Sequence, residues 1–366
     1  HRPSLVAPAS IGAALAPLAP LFARADGVVA NHEAATGAVD DRAFRLAYAA
    51  PPGWLEALGA AGVTSVTVAN NHACDLGTAG LDATVEAAAK AGIGGIGAGE
   101  DPWTPRVIAE RSGKRVCAVA WTTFVNAEGG CARTRRLAVA AGTRDGRAQV
   151  ARALDRARAW CDAIVAVFHG GQEYAPQTQG VLDQAKHAAE AGADAVVVHH
   201  PHVPSPVVLH ETRDRRRVPI FASVGNLVTN QGESWKLPMF PVLPENRRLV
   251  CVNAWTRLGV LADLAFTFEE RGTRLDWGYH LIWIDNEHAD DRTVAVPRIA
   301  ARLLDPKADA AVVARLRDDR RGPRDLFADP CWIEGRGAAE PDGRCAARRG
   351  RPAASPAPVA RKRRRR

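Results

Sequence analysis

An alternation of short apolar segments with alanine-rich helical segments is the feature that most restricts how this chain can fold. Helical patterns cover residues 78–91, 147–160 and 178–191, and the apolar segments are residues 27–30, 63–69, 115–121, 163–168, 194–199 and 218–224. A repeated strand–helix–strand order predicts an α/β fold with a buried, largely parallel or mixed sheet. From about residue 248 the apolar residues alternate at period two, which predicts antiparallel hairpins with a turn at "ERG", residues 270–272.

The C-terminal part of the sequence differs from the rest in composition. Residues 331–366 contain 11 Lys and Arg residues against 3 Asp and Glu residues, whereas residues 1–330 contain 37 of each class. We predict one domain over residues 1–325 and a disordered, Arg/Ala/Pro-rich basic tail over residues 326–366. Because the domain is close to neutral, no specific nucleic-acid partner is expected, although the tail could contact an anionic polymer or lipid headgroups.

The seven cysteines do not predict a disulfide framework. Their number is odd and no two form a C-x-x-C pair, which also argues against a zinc ribbon. Cys117 and Cys251 lie in apolar runs and are interpreted as core residues, while Cys74 lies within "NNHACD". Residues 4–22 are interpreted as a first helix, since three prolines argue against a signal peptide. No other apolar run reaches about 18 residues, so no transmembrane segment is predicted.

Polar side chains follow five of the predicted strands at the point where each strand ends. Since ligand sites of open α/β sheets lie at the carboxyl ends of the strands, these side chains are expected to converge. Imidazole, carboxylate and amide oxygen together suit a divalent ion such as manganese, iron or zinc. The residues concerned are Asn31, His32, Glu33, Asn70, Asn71, His72, His169, His199, His200, His202, Gly225 and Asn226.

Each of these residues, taken singly, also has a purely structural interpretation. Asn70 and Asn71 could be turn residues, because Asn tolerates left-handed conformations, and Glu33 could cap a helix. Histidines that follow strands commonly hydrogen-bond to the backbone, and we assign that role to His32, His187, His210 and His280. In extended chain His200 and His202 would point to the same side, with Pro201 marking a strand exit. The joint pattern favours a metal site over these separate explanations.

Five segments together resemble the CapA family of capsule-synthesis proteins, also called poly-γ-glutamate biosynthesis proteins. They span roughly residues 25 to 232 and read "NHEAATG", "VTVANNHACDLGTAGLDATVEAAAKAGIGGIGAG", "VFHGGQEY", "AGADAVVVHHPHVPSPVVLH" and "FASVGNLV". That family is similar in turn to the calcineurin-like metallophosphoesterases. The resemblance implies a sandwich of two mixed β-sheets flanked by helices, a place at the cell envelope, and capsule-assembly proteins as partners.

The resemblance also implies roles for individual residues. Glu33, Asn71, His169, His200 and His202 would be ligands of one or two divalent ions (Mn, Fe or Zn), with Glu33 bridging. His72, oriented by Asp75, would act as general acid or transition-state stabiliser. Glu173 and Asn226 would contact the substrate or support the ligands, and Gly225 would line the same rim. The substrate would be a phosphoester or an anionic polymer.

The sequence departs from the family pattern at three places. The family's leading motif, a strand ending in Gly-Asp, has no counterpart, because the chain opens with "HRPSLVAP". His32 and Gly170 stand where the family usually has an apolar and a bulky aromatic residue. The chain begins at His1, with Met239 as its one methionine, so we expect its natural start and part of one metal position to be missing.

Two functions therefore stay open. The first is a metal-dependent hydrolase of the phosphoesterase type. The second is a polymer-binding or assembly protein whose metal site has degenerated. The loop with Arg133, Arg135 and Arg136 offers candidate anion contacts, or is an ordinary solvated basic loop.

Overall fold

The computed structural model describes residues 8–38, 48–126, 131, 134–175, 178–229, 231–232, 253–270, 272–286, 298–305 and 307–318. The helices in these ranges are α1 (Pro8–Leu15), α2 (Ala19–Phe22), α3 (Gly53–Ala60), α4 (Gly77–Lys90), α5 (Arg144–Arg158), α6 (Gln179–Glu190) and α7 (Ala310–Asp318). Short 3₁₀ helices cover Ala16–Leu18 and Ala254–Arg257. None of the helices in this described part combines the length and apolar character needed to cross a bilayer.

A six-stranded mixed sheet forms the centre of the molecule. Its strands are β6 (Arg106–Arg111), β7 (Lys114–Thr122), β8 (Ala163–His169), β9 (Ala195–His199), β10 (Val207–Glu211) and β11 (Arg217–Phe221), in the order β10-β11-β9-β8-β7-β6. The four central strands, β11, β9, β8 and β7, are mutually parallel, while β6 and β10 pair antiparallel at the two edges. All seven residues of β8 are buried, as expected for a strand covered on both faces.

Three smaller sheets complete the strand content of the described residues. A parallel sheet consists of β1 (Val29–Asn31), β4 (Ser65–Thr67) and β5 (Gly94–Ile96), and a two-stranded ladder consists of β2 (Ala35–Thr36) and β3 (Ala49–Ala50). An antiparallel sheet consists of β12 (Leu258–Glu269), β13 (Gly272–Asn286) and β14 (Ile299–Leu303). The β12–β13 hairpin pairs Glu269 with Gly272, which confirms the predicted antiparallel hairpin and its turn, although its first strand begins at Leu258 rather than near residue 248.

Three hydrophobic clusters hold these layers together. One lies between the six-stranded sheet and the antiparallel sheet and contains Phe221 and Trp277. A second lies on the opposite face of the six-stranded sheet, where Leu154 of α5 packs near Val198 of β9. The third packs α1, α3 and α4 against the small parallel sheet and includes Leu15. Helices thus cover both sides of the stacked sheets.

This architecture confirms the predicted α/β sandwich and is consistent with a metallophosphoesterase-like fold. Each predicted helix and strand overlaps an observed element, and the first helix prediction is confirmed by α1 and α2. The parallel sheet and the antiparallel sheet are separate ladders rather than one second sheet. The predicted basic tail, residues 326–366, lies outside the described residues.

The cysteine prediction is wrong. Cys74 forms a disulfide with Cys131, 57 residues away, and Cys117 forms one with Cys161, 44 residues away. Cys117 is buried as predicted, but it is half of a disulfide rather than a free core thiol. The total count and the local spacing could not reveal these bonds, because folding brings the partners together from distant segments. Cys251 lies outside the described residues.

Candidate metal centre

The parallel strands of the small sheet and those of the six-stranded sheet have their carboxyl ends in the same region. Pairing of β1 with β4 places Asn31 opposite Thr67, and pairing of β8 with β9 places His169 opposite His199. The ends of these strands and the loops that follow them carry all five predicted metal ligands, and the structure brings the five together: Glu33, Asn71, His169, His200 and His202. The strand-end rule therefore predicted this convergence correctly.

The candidate ligand atoms lie at short mutual distances. His169 Nε2 is 2.8 Å from Asn71 Oδ1 and 3.2 Å from His200 Nδ1. Glu33 Oε1 is 3.6 Å from both His169 Nε2 and His202 Nε2. Atoms bound to one ion at about 2.1 Å are about 3.0–3.4 Å apart, so these separations approach the edges of a coordination polyhedron. Glu33, His200 and His202 form a group whose ligand atoms all lie within 4.8 Å of one another.

Glu33 presents one oxygen that no hydrogen-bond donor satisfies. Asn31 Nδ2 donates to Oε2 at 3.2 Å, whereas the buried Oε1 has no hydrogen-bond partner in the described part of the chain. Burial raises the pKa of the Glu33 carboxyl, an effect that His202 and His72 oppose. A buried carboxylate oxygen without a donor is costly unless a cation or a proton neutralises it.

Asn226 fixes the tautomer of His202. Its amide nitrogen has two hydrogens and lies within hydrogen-bond distance of three acceptors, His202 O at 3.2 Å, Thr256 O at 2.8 Å and Gln231 Oε1 at 3.0 Å, so its Oδ1 is the acceptor. His202 Nδ1 therefore donates to that oxygen at 2.9 Å. In the neutral ring the proton is on Nδ1, and the lone pair of Nε2 faces Glu33 Oε1 across 3.6 Å. Two acceptors that face each other in this way are suited to hold a cation between them.

The backbone at the two histidines is not extended. His200 has φ 103° and His202 has φ 59°, both in the left-handed region, so the expectation of an extended segment is wrong, although β9 does end at His199. Non-glycine residues at such φ values cost about 1–3 kcal/mol and persist where the surroundings fix them. Here the left-handed backbone at both positions turns the two histidine rings toward Glu33. The centroids of the His200 and His202 rings are 6.0 Å apart.

Burial keeps two histidine rings of this cluster, His169 and His200, neutral. Together with smaller contributions from the neighbouring His202 and His72, it lowers the pKa of His200 to about 3. Burial also holds the pKa of His169 well below its usual value, again with a contribution from His200. Neutral imidazole is the form that binds a metal ion, because its unprotonated nitrogen supplies the lone pair.

His72 and Asp75 form a second, adjacent group. His72 Nδ1 donates to Asp75 Oδ2 at 2.6 Å, and the same oxygen accepts from the Tyr48 backbone N–H at 2.7 Å. On the other side of the ring, Asn126 Nδ2 lies 3.4 Å from His72 Nε2 and donates to it when the ring is neutral. The Tyr48 ring stands edge-on to His72, with centroids 4.0 Å apart. Asp75 and Asn126 thus contact the two ring nitrogens of His72 from opposite sides.

The rim of the centre contains one expected carboxylate. Glu173 is exposed, and its charge contributes to raising the pKa of Glu33 and of Tyr174. The Tyr174 ring stacks on His202, with centroids 5.6 Å apart. Gly225 pairs with Gly259, and its φ of 63° lets the chain turn so that Asn226 follows directly.

The arginines proposed as anion contacts, Gly170 and Asn70 are not among the residues that form this cluster. Arg136 forms an ion pair with Asp82 at 2.8 Å, and Arg133 lies outside the described residues. A side chain at Gly170 would overlap Thr123, so this turn has no room for the bulky aromatic residue that the family resemblance led us to expect. Asn70 has a structural contact of another kind than the left-handed turn considered for it, since its side chain donates to His32 O at 2.8 Å.

The four histidines assigned to backbone contacts differ from one another. His187 Nε2 donates to Arg147 O at 2.8 Å, as predicted. His210 instead contacts Glu190 at 3.0 Å, and His280 lies 3.8 Å from Asp263. His32 is buried, and its Nε2 has no hydrogen-bond partner within the described ranges.

Sequence reasoning missed Asn126, Tyr48 and Tyr174. Asn126 follows β7 by four residues, and the strand-end rule that selected the other residues could have selected it as well. The two tyrosines carry no such signal, because an aromatic residue in a loop has many ordinary explanations.

Comparison with known proteins adds a family assignment. A family model described as "Bacterial capsule synthesis protein PGA_cap" matches residues 4–231, more than half of the chain. The capsule biosynthesis protein CapA of Bacillus anthracis is 30% identical over 184 residues, which cover 49% of this chain and 43% of the relative. The PGA biosynthesis protein CapA of Bacillus subtilis (strain 168) is 30% identical over 173 residues, covering 46% and 43%. The matched regions thus span less than half the length of each relative.

Proposed function

Because the chain belongs to the family of bacterial capsule synthesis proteins of the PGA_cap type, we propose that it takes part in capsule or poly-γ-glutamate biosynthesis through a metal-dependent phosphoesterase-type site. The proposed domain covers residues 1–325. Its substrate would be a phosphoester or a phosphorylated or otherwise anionic polymer, and its partners other capsule-assembly proteins.

The observation that carries the proposal is the pair of acceptors formed by Glu33 and His202. Glu33 Oε1 lacks a donor among the described residues, and the Asn226 network leaves His202 Nε2 without a proton in the neutral ring, 3.6 Å away. His169 Nε2 lies at the same distance from Glu33 Oε1. A buried arrangement of this kind is stable when a cation neutralises it.

The residues that would hold the ion are Glu33, Asn71, His169, His200 and His202. One or two ions of manganese, iron or zinc suit this set of oxygen and nitrogen donors, which contains no thiolate. A bound divalent ion supplies Lewis acidity, which lowers the pKa of water and neutralises charge on phosphoryl oxygens. The polar network around Asn226 would keep the His202 ring in its binding orientation.

His72 and Asp75 would perform the proton chemistry. Protonated His72 can give the proton at Nε2 to the leaving-group oxygen, and the carboxylate of Asp75, 2.6 Å from Nδ1, stabilises the imidazolium form. Glu173, at the exposed rim, would contact the cationic or hydroxyl groups of the substrate. Asn226 would act through His202 rather than through the substrate.

The cell envelope is the proposed location. Two disulfides in the described residues favour an oxidising compartment, since cytosolic thiols are kept reduced. The relatives are capsule biosynthesis proteins, which fits the same compartment.

A second candidate is a polymer-binding or assembly protein whose metal site has degenerated. The candidate metal group of the described residues contains a single carboxylate, Glu33, beside two histidines. A site of this composition could bind an anionic polymer weakly without hydrolysing it.

Elemental analysis together with hydrolysis of aryl phosphate esters distinguishes these candidates. The purified protein, reconstituted with manganese, is expected to hold one or two equivalents of metal and to hydrolyse the esters. The variant His200→Ala/His202→Ala should lose both properties, whereas the control His187→Ala/His210→Ala, which removes two histidines outside the centre, should keep them. Absence of metal after reconstitution would reject the hydrolase and favour the binding protein.

A further inference from the structure

The side chain of Asn31, the last residue of β1, lies between Glu33 and two buried polar side chains of the neighbouring strand and its loop. Its amide nitrogen is 3.2 Å from Glu33 Oε2. Its amide oxygen is 3.2 Å from Thr67 Oγ1 and 3.4 Å from Asn70 Nδ2. Thr67 and Asn70 are both buried, and Thr67 is the residue of β4 that pairs with Asn31. The Asn31 amide therefore connects the candidate carboxylate ligand to the interior of the small parallel sheet.

Two backbone groups fix the orientation of the Asn70 amide. The backbone N–H of His72 can only donate, and it donates to Asn70 Oδ1 at 3.1 Å. The backbone oxygen of His32 can only accept, and it accepts from Asn70 Nδ2 at 2.8 Å. The amide group of Asn70 thus has one possible orientation, in which the second hydrogen of Nδ2 is left for Asn31.

The orientation of Asn70 in turn fixes that of Asn31. Because Asn70 presents an N–H group, the atom of Asn31 that faces it is the acceptor Oδ1, and the donor Nδ2 faces Glu33. The opposite orientation would place Asn31 Oδ1 against Glu33 Oε2 as two acceptors, and Nδ2 against Asn70 Nδ2 as two donors. The hydrogen bonds therefore run in one direction, from Asn70 to Asn31 and from Asn31 to Glu33.

This arrangement makes the two oxygens of Glu33 unequal. Oε2 accepts from Asn31, whereas the buried Oε1 has no hydrogen-bond partner within the described ranges. Oε1 is also the oxygen that lies 3.6 Å from both His169 Nε2 and His202 Nε2. A carboxylate ligand that is hydrogen-bonded through its other oxygen keeps its orientation before the ion arrives, which favours binding.

We propose that Asn31 is a positioning residue that holds Glu33 Oε2 and so leaves Oε1 alone to bind the ion, with Asn70 fixing the Asn31 amide. This inference rests on the proposed metal-dependent function. Glu33 then contributes a single ligand atom, and it bridges two ions only through that atom. Asn70 also links the loop that carries Glu33 to the loop that carries Asn71 and His72, so the two loops support each other.

The test is a double-mutant cycle on zinc affinity with four full-length proteins: the wild type, Asn31→Leu, Glu33→Ala and the double variant. Leucine has a similar volume to asparagine but no donor. Zinc is used because three histidines bind it more tightly than manganese once the carboxylate is gone. Calorimetric titration of the chelator-treated proteins gives the dissociation constants. Asn31→Leu is expected to raise the constant about 10- to 100-fold in the wild-type chain.

In the Glu33→Ala chain, Asn31→Leu should change the constant by less than about twofold, because the effect of Asn31 passes through Glu33. For the same reason Asn31→Leu alone should not lose more affinity than Glu33→Ala alone. Thr84→Val is the control for a general loss of stability near the same sheet. It removes a buried hydroxyl that accepts from the Thr36 backbone N–H at 2.8 Å, and it should keep the wild-type zinc affinity.

The outcomes separate the positioning role from the metal site itself. An unchanged zinc affinity of Asn31→Leu, an equal loss in both backgrounds, or an equal loss in Thr84→Val would overturn the role of Asn31 and leave the metal site in place. If the wild type binds no zinc, the proposed metal-dependent function fails, and the positioning role fails with it.

Discussion

At the residue scale, Asp75 is the clearest test of the proton chemistry. Its Oδ2 accepts from His72 Nδ1 at 2.6 Å and from the Tyr48 backbone N–H at 2.7 Å. Asp75→Asn keeps the shape but removes the charge that stabilises the imidazolium, so kcat is expected to fall about 10- to 100-fold with metal content unchanged. Steady-state kinetics and elemental analysis measure both. Asp101→Asn, at an exposed ion pair with Arg156, is the matched control, and an equal loss in both variants would contradict the assigned role.

Asn226 offers a residue-scale test of metal binding without touching a proposed ligand. Asn226→Ala removes the acceptor that fixes His202 Nδ1, so the ring is free to present either nitrogen. Manganese affinity is expected to fall about 10- to 100-fold, measured by calorimetric titration of the chelator-treated protein. Asn253→Ala removes another buried asparagine, which accepts from the Trp255 backbone N–H, and should leave the affinity unchanged.

The candidate ligand residues could be predicted from the sequence because they lie at the ends of strands. Glu33, His169 and His202 could be selected because each follows an apolar strand, and parallel pairing then brings the ends together. The left-handed backbone at His200 could not be predicted, since only a few per cent of non-glycine residues have a positive φ and the local sequence does not select which of them will. Tertiary contacts with His169 and Asn226 fix that turn, and they are invisible in a local pattern.

At the scale of secondary-structure elements, capping of α5 provides a stability test away from the centre. Thr143 Oγ1 accepts from the Gly146 backbone N–H at 3.2 Å, whereas Thr178 at the start of α6 makes no such bond. Thr143→Ala is therefore expected to lower the free energy of unfolding by about 1 kcal/mol, and Thr178→Ala by much less. Urea denaturation measures both values. Similar losses would show that the Thr143 hydrogen bond contributes little.

The elements themselves were largely predictable because their periodicities are strong. The buried stripe of α5, which includes Val150, Leu154 and Ala157, follows helical spacing, and β8 is a continuous apolar run. The disulfides were not predictable, since Cys74 and Cys131 meet only once two loops have been placed by different sheets. The division of the strands into separate sheets depends on pairing choices that periodicity does not encode.

At the scale of the whole molecule, metal binding should raise the free energy of unfolding. An ion held only by the folded state stabilises it by about 2.7 kcal/mol when its free concentration is 100 times the dissociation constant. Chelation is expected to lower Tm by several degrees and manganese to restore it, as measured by differential scanning calorimetry. His200→Ala/His202→Ala should show a Tm that neither treatment changes. A wild-type Tm that changes neither on chelation nor on addition of manganese would count against metal binding at the candidate centre.

The pH dependence of the metal-free protein tests the buried histidines. Burial lowers the pKa of His32 from its ordinary 6.5 to about 4, so between these values the unfolded chain binds a proton that the folded chain does not. The stability contributed by neutral His32 is complete above pH 6.5 and is lost as pH falls toward 4. The slope for one such residue is about 1.4 kcal/mol per pH unit.

His32→Leu should therefore reduce the loss of stability between pH 6 and pH 5 by roughly that amount, even if it changes the stability at pH 7. Urea denaturation of chelator-treated protein at the two pH values measures the difference. Leu55→Ala, which opens a cavity in the core without removing an ionisable group, should lower stability at both pH values and keep the wild-type slope. If His32→Leu also keeps the wild-type slope, His32 must be protonated in the folded protein, and a partner for its ring would have to exist. The acid sensitivity would then arise from the other histidines whose pKa is lowered, which include His199, at about 4, and His200, at about 3.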